Sequence, residues 1–334
     1  DIDVDKNAFY MLVNESQKIK YNVSSLFAVS ESDVILYSEN DNIASIKNEI
    51  ITGNNVGTTN IVIKVNDEEE KIKVVVTDLI TVPKLNNDKP FLPCKVYTEE
   101  EAELLDKILY DHIERVGGSG TRAAVVEAAR FLVLEFPYKI NYFAENGRLN
   151  TYNGNRYVDG EGRYYHKGLY LSESKFSSIK KSATGPSIWG CPLKMLYGER
   201  DQPSGKYYSN GLDCSGFVSW VIYNGGFDIG DIGAGITVAP AISNLGKREN
   251  ITLDLIDKAK AGDIIAVDGH TAIIIGIDRQ SKKVYVAESL FYNVGVNVLT
   301  FTFNQLVNTD YFTYIIRMDS FYKNQGKYTD MWEF

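Results

Sequence analysis

From residue 261 to residue 317 the chain reads as apolar strands joined by short turns, and this limits the fold more than any other stretch. The runs 264–267, 271–277, 283–288, 294–303 and 312–317 are rich in Val, Ile, Thr, Phe and Tyr, residues that suit a pleated, half-buried surface. Asp278-Arg279-Gln280-Ser281 is a hairpin turn between two of them. Connections this short join strands only in antiparallel order, because a parallel crossover needs a dozen residues or more. An antiparallel meander is therefore expected here.

Such a sheet needs cover for its apolar face. Gly211-Leu212-Asp213-Cys214-Ser215-Gly216-Phe217-Val218-Ser219-Trp220 offers it. Phe217, Trp220 and Val221 recur at helical spacing, Val218 and Ile222 fill the rest, and Gly225-Gly226 stops the run. A buried helix starting near Asp213 is expected, packed on the sheet in an α+β arrangement. Cys214 falls in its first turn, where unpaired N–H groups and the positive end of the dipole favour a thiolate. This stretch alone equally allows a small, buried, apolar cysteine.

Residues 1–78 read as β throughout. Asp33-Val34-Ile35-Leu36-Tyr37, Asn60-Ile61-Val62-Ile63-Lys64-Val65 and Lys71-Ile72-Lys73-Val74-Val75-Val76 alternate, with turn residues at 38–42, 53–55 and 66–67. Short strands so spaced indicate a small sandwich. The segment Tyr37-Ser38-Glu39-Asn40-Asp41-Asn42-Ile43-Ala44-Ser45-Ile46, followed by Gly53 and by Val56-Gly57-Thr58-Thr59-Asn60-Ile61, resembles the bacterial Ig-like domain. That resemblance implies a spacer or adhesion module outside the cytoplasm. The net charge is −9, and residues 1–78 hold 14 of the 44 acidic but only 7 of the 35 basic residues. This balance argues against nucleic acid as a partner, and the acidity is read as solubility. No apolar run is long enough to span a membrane.

The segment 80–97 carries Pro83, Pro90 and Pro93 with little periodicity and reads as a linker that becomes the lead-in to the next domain. Thr98-Glu99-Glu100-Glu101 is a capping box, and Ala102, Leu105, Ile108, Leu109 and Ile113 form one apolar stripe up to Gly117-Gly118. A second helix is expected from about Thr121 to Glu135, stopped by Pro137, the two forming an antiparallel pair. His112, at the edge of the stripe, reads as a packing or surface residue. From 138 to 210 the periodicity disappears. Seven tyrosines fall between 138 and 170, followed by Trp189, Tyr197, Tyr207 and Tyr208. Such rings can build a groove for a polar polymer, or fill a loop-rich core. His166 reads as structural or exposed.

The three cysteines are Cys94, Cys191 and Cys214. An odd, low count argues against a disulfide scaffold, and the spacings give no zinc motif. A Cys94–Cys191 bridge would leave Cys214 free. A cysteine nucleophile needs a base, and the base needs an orienting partner. His270 opens an apolar strand after the turn Asp268-Gly269, at a strand mouth that a helix N-terminus could meet. Glu288 ends the strand expected to pair with it, on the face of Val284 and Val286. A carboxylate there is costly without a partner. The plainer alternative is a carboxylate exposed at a strand end.

Taken together, Asp213-Cys214-Ser215-Gly216-Phe217-Val218, Ala261-Gly262-Asp263-Ile264-Ile265 and Gly269-His270-Thr271-Ala272-Ile273-Ile274-Ile275-Gly276 resemble the NlpC-type cell-wall cysteine peptidases, over about residues 186–318. The resemblance implies a papain-like domain with no metal and no cofactor. It implies a secreted or cell-surface bacterial enzyme whose signal peptide is absent from this sequence. The reaction implied is hydrolysis of an amide bond in peptidoglycan stem peptides. By position Cys214 is the nucleophile and His270 the base, and Asp213 and Ser215 hold a stem-peptide N-terminus. The third position departs from the common pattern: many members carry His, Asn or Gln nearer the strand start, where this chain has Val286. Glu288 fits relatives that use an acid. An upstream Tyr is also usual. Tyr197, Tyr207 and Tyr208 compete for that place, and Trp189 is counted with them as a substrate-binding ring. An N-acetylmuramoyl amidase or a papain-like acyl transferase would use the same residues, and a non-catalytic surface-binding protein is the remaining alternative. The expected organisation is an all-β Ig-like sandwich at 1–79, a linker at 80–97, the helical pair with its Tyr-rich loops at 98–185, and an NlpC-type catalytic domain at 186–334.

Overall fold

A computed structural model describes residues 2–24, 33–144, 167–178, 187–195, 198, 201–229 and 242–332. It forms two compact units, Asp1–Val82 and Pro83–Phe334. No helix among the described residues is long and apolar enough to cross a membrane.

The first unit contains β1 (Ile2–Val4), β2 (Ala8–Leu12), β3 (Ser16–Lys18), β4 (Tyr21–Val23), β5 (Val34–Ser38), β6 (Ala44–Lys47), β7 (Ile50–Gly53), β8 (Gly57–Val65) and β9 (Glu68–Thr77). One sheet runs β2-β9-β8-β5, a second β3-β7-β6, and β1 pairs with β4. Among the described strands of this unit, only β2 and β9 pair in parallel. Alternation explains the burial. Ile72, Val74 and Val76 of β9 enter a core shared with Phe9, Met11, Ala44, Ile51, Ile61 and Ile63, while Lys71 and Lys73 between them face water.

In the second unit, α1 (Glu99–Arg115) opens on its capping box. Thr98 Oγ1 accepts from Glu101 N at 3.2 Å, and the Glu101 carboxylate accepts from Thr98 N at 2.9 Å. α2 (Arg122–Arg130) runs into a π-wound turn, Phe131–Glu135, closed by Phe136 N donating to Phe131 O at 2.8 Å. A single regular helix was the expectation; the last turn is wider, and all five of its residues are buried. His112 is buried rather than at a solvent edge, with its ring edge-on to Phe131 at 5.5 Å.

The rest of the unit consists of β10 (Pro192–Lys194), β11 (Tyr207–Ser209), α3 (Cys214–Asn224), β12 (Lys247–Asn250), α4 (Leu253–Lys258), β13 (Ile264–Val267), β14 (His270–Asp278), β15 (Lys283–Leu290), β16 (Gly295–Thr302), α5 (Phe303–Val307) and β17 (Tyr314–Arg317). Six strands form one antiparallel sheet in the order β12-β17-β13-β14-β15-β16. The expected meander holds for β13 to β16. It fails for β17, which returns to pair with β13 instead of β16. The cause is α5: a capping box of Thr302 and Gln305 starts a helix that takes the chain off the β16 edge. Its Phe303 and Leu306 then join a core with Ile256, Ile265, Ile274, Val284, Val286, Phe312 and Ile315. β12 adds a strand at the sheet edge, paired with β17.

Two expected boundaries need correction. The linker bounds 80–97 shrink: from Pro83 onward the segment already belongs to the second unit, as its lead-in. Asn87 exchanges hydrogen bonds with Val298, at 2.6 and 3.1 Å. Lys89 Nζ donates to Val133 O and Phe136 O, and Cys94 is bonded to Cys191. Prolines deny this segment regular backbone pairing, so side chains and a disulfide tie it down. Nor do 98–185 and 186–334 separate, because α2 packs against α3 and β14 within one compact unit. The disulfide links residues 97 apart in sequence. Its reduction is expected to lower stability by about 2–4 kcal/mol, read as a fall in the urea midpoint of the second unit. Equal midpoints with and without reductant would rule this out.

Candidate active site

α3 begins where the sequence indicates. Asp213 is its cap: Oδ1 accepts from Gly216 N at 2.7 Å and from Ser215 Oγ at 3.1 Å. Such a cap satisfies end N–H groups and orders the first turn. Cys214 is the first helical residue and lies outside the Cys94–Cys191 disulfide. The chain entering the helix is closely constrained. A Cβ at Gly211 would lie 1.9 Å from Asn141 O, so only glycine fits there, and Leu212 N donates to that same carbonyl at 3.0 Å. Ser289 Oγ, on β15, donates to Leu212 O at 2.7 Å. This bond ties the far end of β15 to the cysteine segment, and α3 packs against both β14 and β15.

β13 turns through Asp268 and Gly269 into β14, whose first residue is His270. His270 Nε2 lies 2.7 Å from Glu288 Oε2 on β15. Glu288 has no exposed surface, and Tyr311 Oη donates to both of its oxygens, at 3.1 and 3.0 Å. The buried carboxylate therefore has the partners that burial requires. Two rings fix the imidazole: Phe312 stacks on it at 5.8 Å and 18°, and Tyr311 meets it edge-on at 5.9 Å. Nε2 is thus the ring nitrogen that Glu288 engages. Burial, reinforced by the Glu288 charge and hydrogen bond, pushes the Tyr311 phenol far above its usual range, and Cys214 adds to the rise. Tyr311 thus stays a donor, and Cys214 shares the electrostatic neighbourhood of Glu288 and Tyr311.

No family model matches the chain, and no curated protein matches it. Among solved structures, domains 4 and 5 of the S-layer protein SbsC align at 21% identity and a TM-score of 0.19, covering 23% of this chain and 51% of that one. Domains 5–6 of SbsC align at 18% identity and a TM-score of 0.19, covering 30% and 55%. The chain spans about half the length of these structures. Likeness at this level carries no argument about the site.

The structure joins His270 to Glu288 and sets the helix of Cys214 against their strands. Asp213 and Ser215 bond to each other at the helix cap. Trp189 does not line a groove: it is 2% exposed, stacked on Tyr170 at 5.3 Å and packed on Trp220 at 5.7 Å. A ring enclosed in this way has no face to offer a polymer, which corrects its assignment as a substrate residue. Tyr208 packs on Phe143, Ala144, Leu193 and Met195, while Tyr207 beside it is 67% exposed. Tyr152, Tyr157, Tyr164, Tyr165, Tyr197 and His166 lie outside the described residues. Sequence reasoning missed Tyr311 and assigned Phe312 only to a strand. Their adjacency to His270 follows from sheet order, because β17 neighbours β13, and a local pattern carries no trace of that pairing.

Proposed function

We propose that the second unit is a papain-like cysteine peptidase that hydrolyses an amide bond in bacterial cell-wall stem peptides. In this reading the first unit is an Ig-like spacer, and the protein works outside the cytoplasm. One observation carries it: a 2.7 Å bond between His270 and a fully buried Glu288, on strands against which packs a capped helix whose first residue is a cysteine outside the disulfide. The motif resemblance around Cys214, Gly262-Asp263 and His270 supports the substrate class.

In the proposed reaction His270 Nδ1 takes the thiol proton, leaving thiolate and imidazolium. The thiolate attacks the amide carbonyl, and N–H groups at the start of α3, that of Cys214 included, stabilise the oxyanion. The imidazolium gives its proton to the leaving amine as the C–N bond breaks. Water then attacks the thioester while His270 takes its proton, releasing a carboxylic acid and restoring the thiol. Glu288 stays ionised and holds the ring in one orientation. The Asp213 carboxylate is the group suited to a free peptide amine.

The test is digestion of purified cell wall followed by mass spectrometry of the products. New free amino groups on stem peptides are expected, and Cys214→Ala should reduce them at least roughly 10³-fold. Lactyl ends freed of peptide would instead identify an amidase. Full activity of Cys214→Ala, or no product from either protein, would sink the peptidase reading.

A further inference from the structure

We propose that His112, Glu127 and Glu135 form a site for one divalent transition-metal ion of the zinc class, separate from the cysteine chemistry. His112 comes from α1, Glu127 from α2 and Glu135 from the end of the π-wound turn. One ligand atom from each lies within 4.8 Å of the others. His112 Nδ1 is 3.3 Å from Glu127 Oε1 and 3.5 Å from Glu135 Oε1. These separations are long for a charged imidazole–carboxylate bond, which sits at about 2.7–2.9 Å. They fit the edges of a tetrahedron around zinc, where bonds of about 2.0–2.1 Å set neighbouring ligands roughly 3.3–3.4 Å apart. A single N–H cannot serve two carboxylates well, whereas one ion serves all three groups.

The backbone gives a second, independent indication. Glu127 and Glu135 are eight positions apart, which in a regular α-helix would place them roughly 80° apart around the axis. The π turn adds a residue to the last turn and closes much of that angle, so both carboxylates reach His112. Single π turns inside helices recur at functional sites.

Charge and access agree. The side chains of His112, Glu127 and Glu135 are 9%, 18% and 6% exposed. Two carboxylates this close, Glu135 buried and Glu127 half-buried, favour a cation; the Arg130 charge acts on Glu127. The Lys89 charge acts on Glu135, but its ammonium donates to the carbonyls of Val133 and Phe136. Without an ion, a proton on His112 supplies the balance. Glu127, the least buried of the three, marks the side from which an ion and a water as fourth ligand enter. One imidazole and two carboxylates with an open position suit zinc among the divalent ions. The ion would clamp α1 to α2.

The full chain, untagged and stripped with a chelator, is titrated with zinc chloride by calorimetry, with thermal unfolding in parallel. One ion per chain and a zinc-dependent rise in Tm are expected. Glu127→Gln keeps the side-chain shape at the most exposed ligand, so it should fold as before, bind zinc at least about tenfold more weakly, and lose the Tm rise. X-ray absorption should show nitrogen and oxygen ligands at about 2.0–2.1 Å. The proposal is overturned by an absence of zinc binding, by a sulfur ligand in the spectrum, or by binding that survives Glu127→Gln but disappears in Cys214→Ala.

Discussion

Glu288→Gln is expected to slow amide hydrolysis by about 10²–10⁴-fold while leaving the second unit folded. The two side chains have nearly the same shape, so the fully buried site gains neither a cavity nor an overpacked group. What changes is charge. The carboxylate accepts from His270 Nε2 at 2.7 Å and from Tyr311 Oη at both oxygens. A carboxamide has one acceptor oxygen and an NH₂ group that must face one of two donors. His270 then loses its tautomer and its orientation, and the imidazolium loses its counter-charge. Alkylation of Cys214 by iodoacetamide at neutral pH reads this independently of any substrate and should slow at least tenfold. An unchanged alkylation rate together with unchanged turnover would show that Glu288 does not hold the base.

Arg122→Met should cost about 3–5 kcal/mol of stability. Arg122 is fully buried. It donates to Asp263 Oδ1 at 2.9 Å, to Ala261 O at 3.1 Å and to Asp319 Oδ1 at 3.0 Å, and its guanidinium lies over the Tyr322 ring at 4.8 Å. Asp263 is fully buried as well, and also accepts from Met318 N and Lys260 N, each at 2.9 Å. Removing the arginine leaves that carboxylate with Arg317 Nε at 3.4 Å as its remaining charged neighbour. Combining the change with Asp263→Asn should cost less than the sum of the two single changes, because the second relieves the charge orphaned by the first. Urea unfolding of the four proteins measures this, and a single-variant loss under about 1 kcal/mol would contradict it.

Most local elements were legible because their causes are local. The capping box at Thr98, the Asp213 cap, the alternation on β8 and β9, and the runs of β13 to β16 are all written within a few residues. Gly262-Asp263 was legible only as a motif. Its physical role, joining α2 to the start of β13 through Arg122, depends on partners more than a hundred residues away. Non-local partners also decide the return of β17 to β13, the burial of Trp189 under Trp220, and the contact of Tyr311 with Glu288. In each case the deciding neighbour is distant in sequence. The lead-in from Pro83 was legible only in outline for a related reason: proline-rich, aperiodic sequence looks the same whether it hangs free or is tied by Asn87, Lys89 and a disulfide.

β17 is the last strand described, and it is hydrogen-bonded to β13 in the middle of the sheet. A chain emerging N-terminus first therefore carries Cys214 and His270 long before the sheet that aligns them can close. Tyr311 and Phe312, which brace the acid and the imidazole, arrive only with that closing strand. Pairings this distant form late. If the second unit has the proposed peptidase activity, sheet order withholds that activity from a nascent or truncated chain, because thiol and imidazole are braced only once the closing strand has been made and folded.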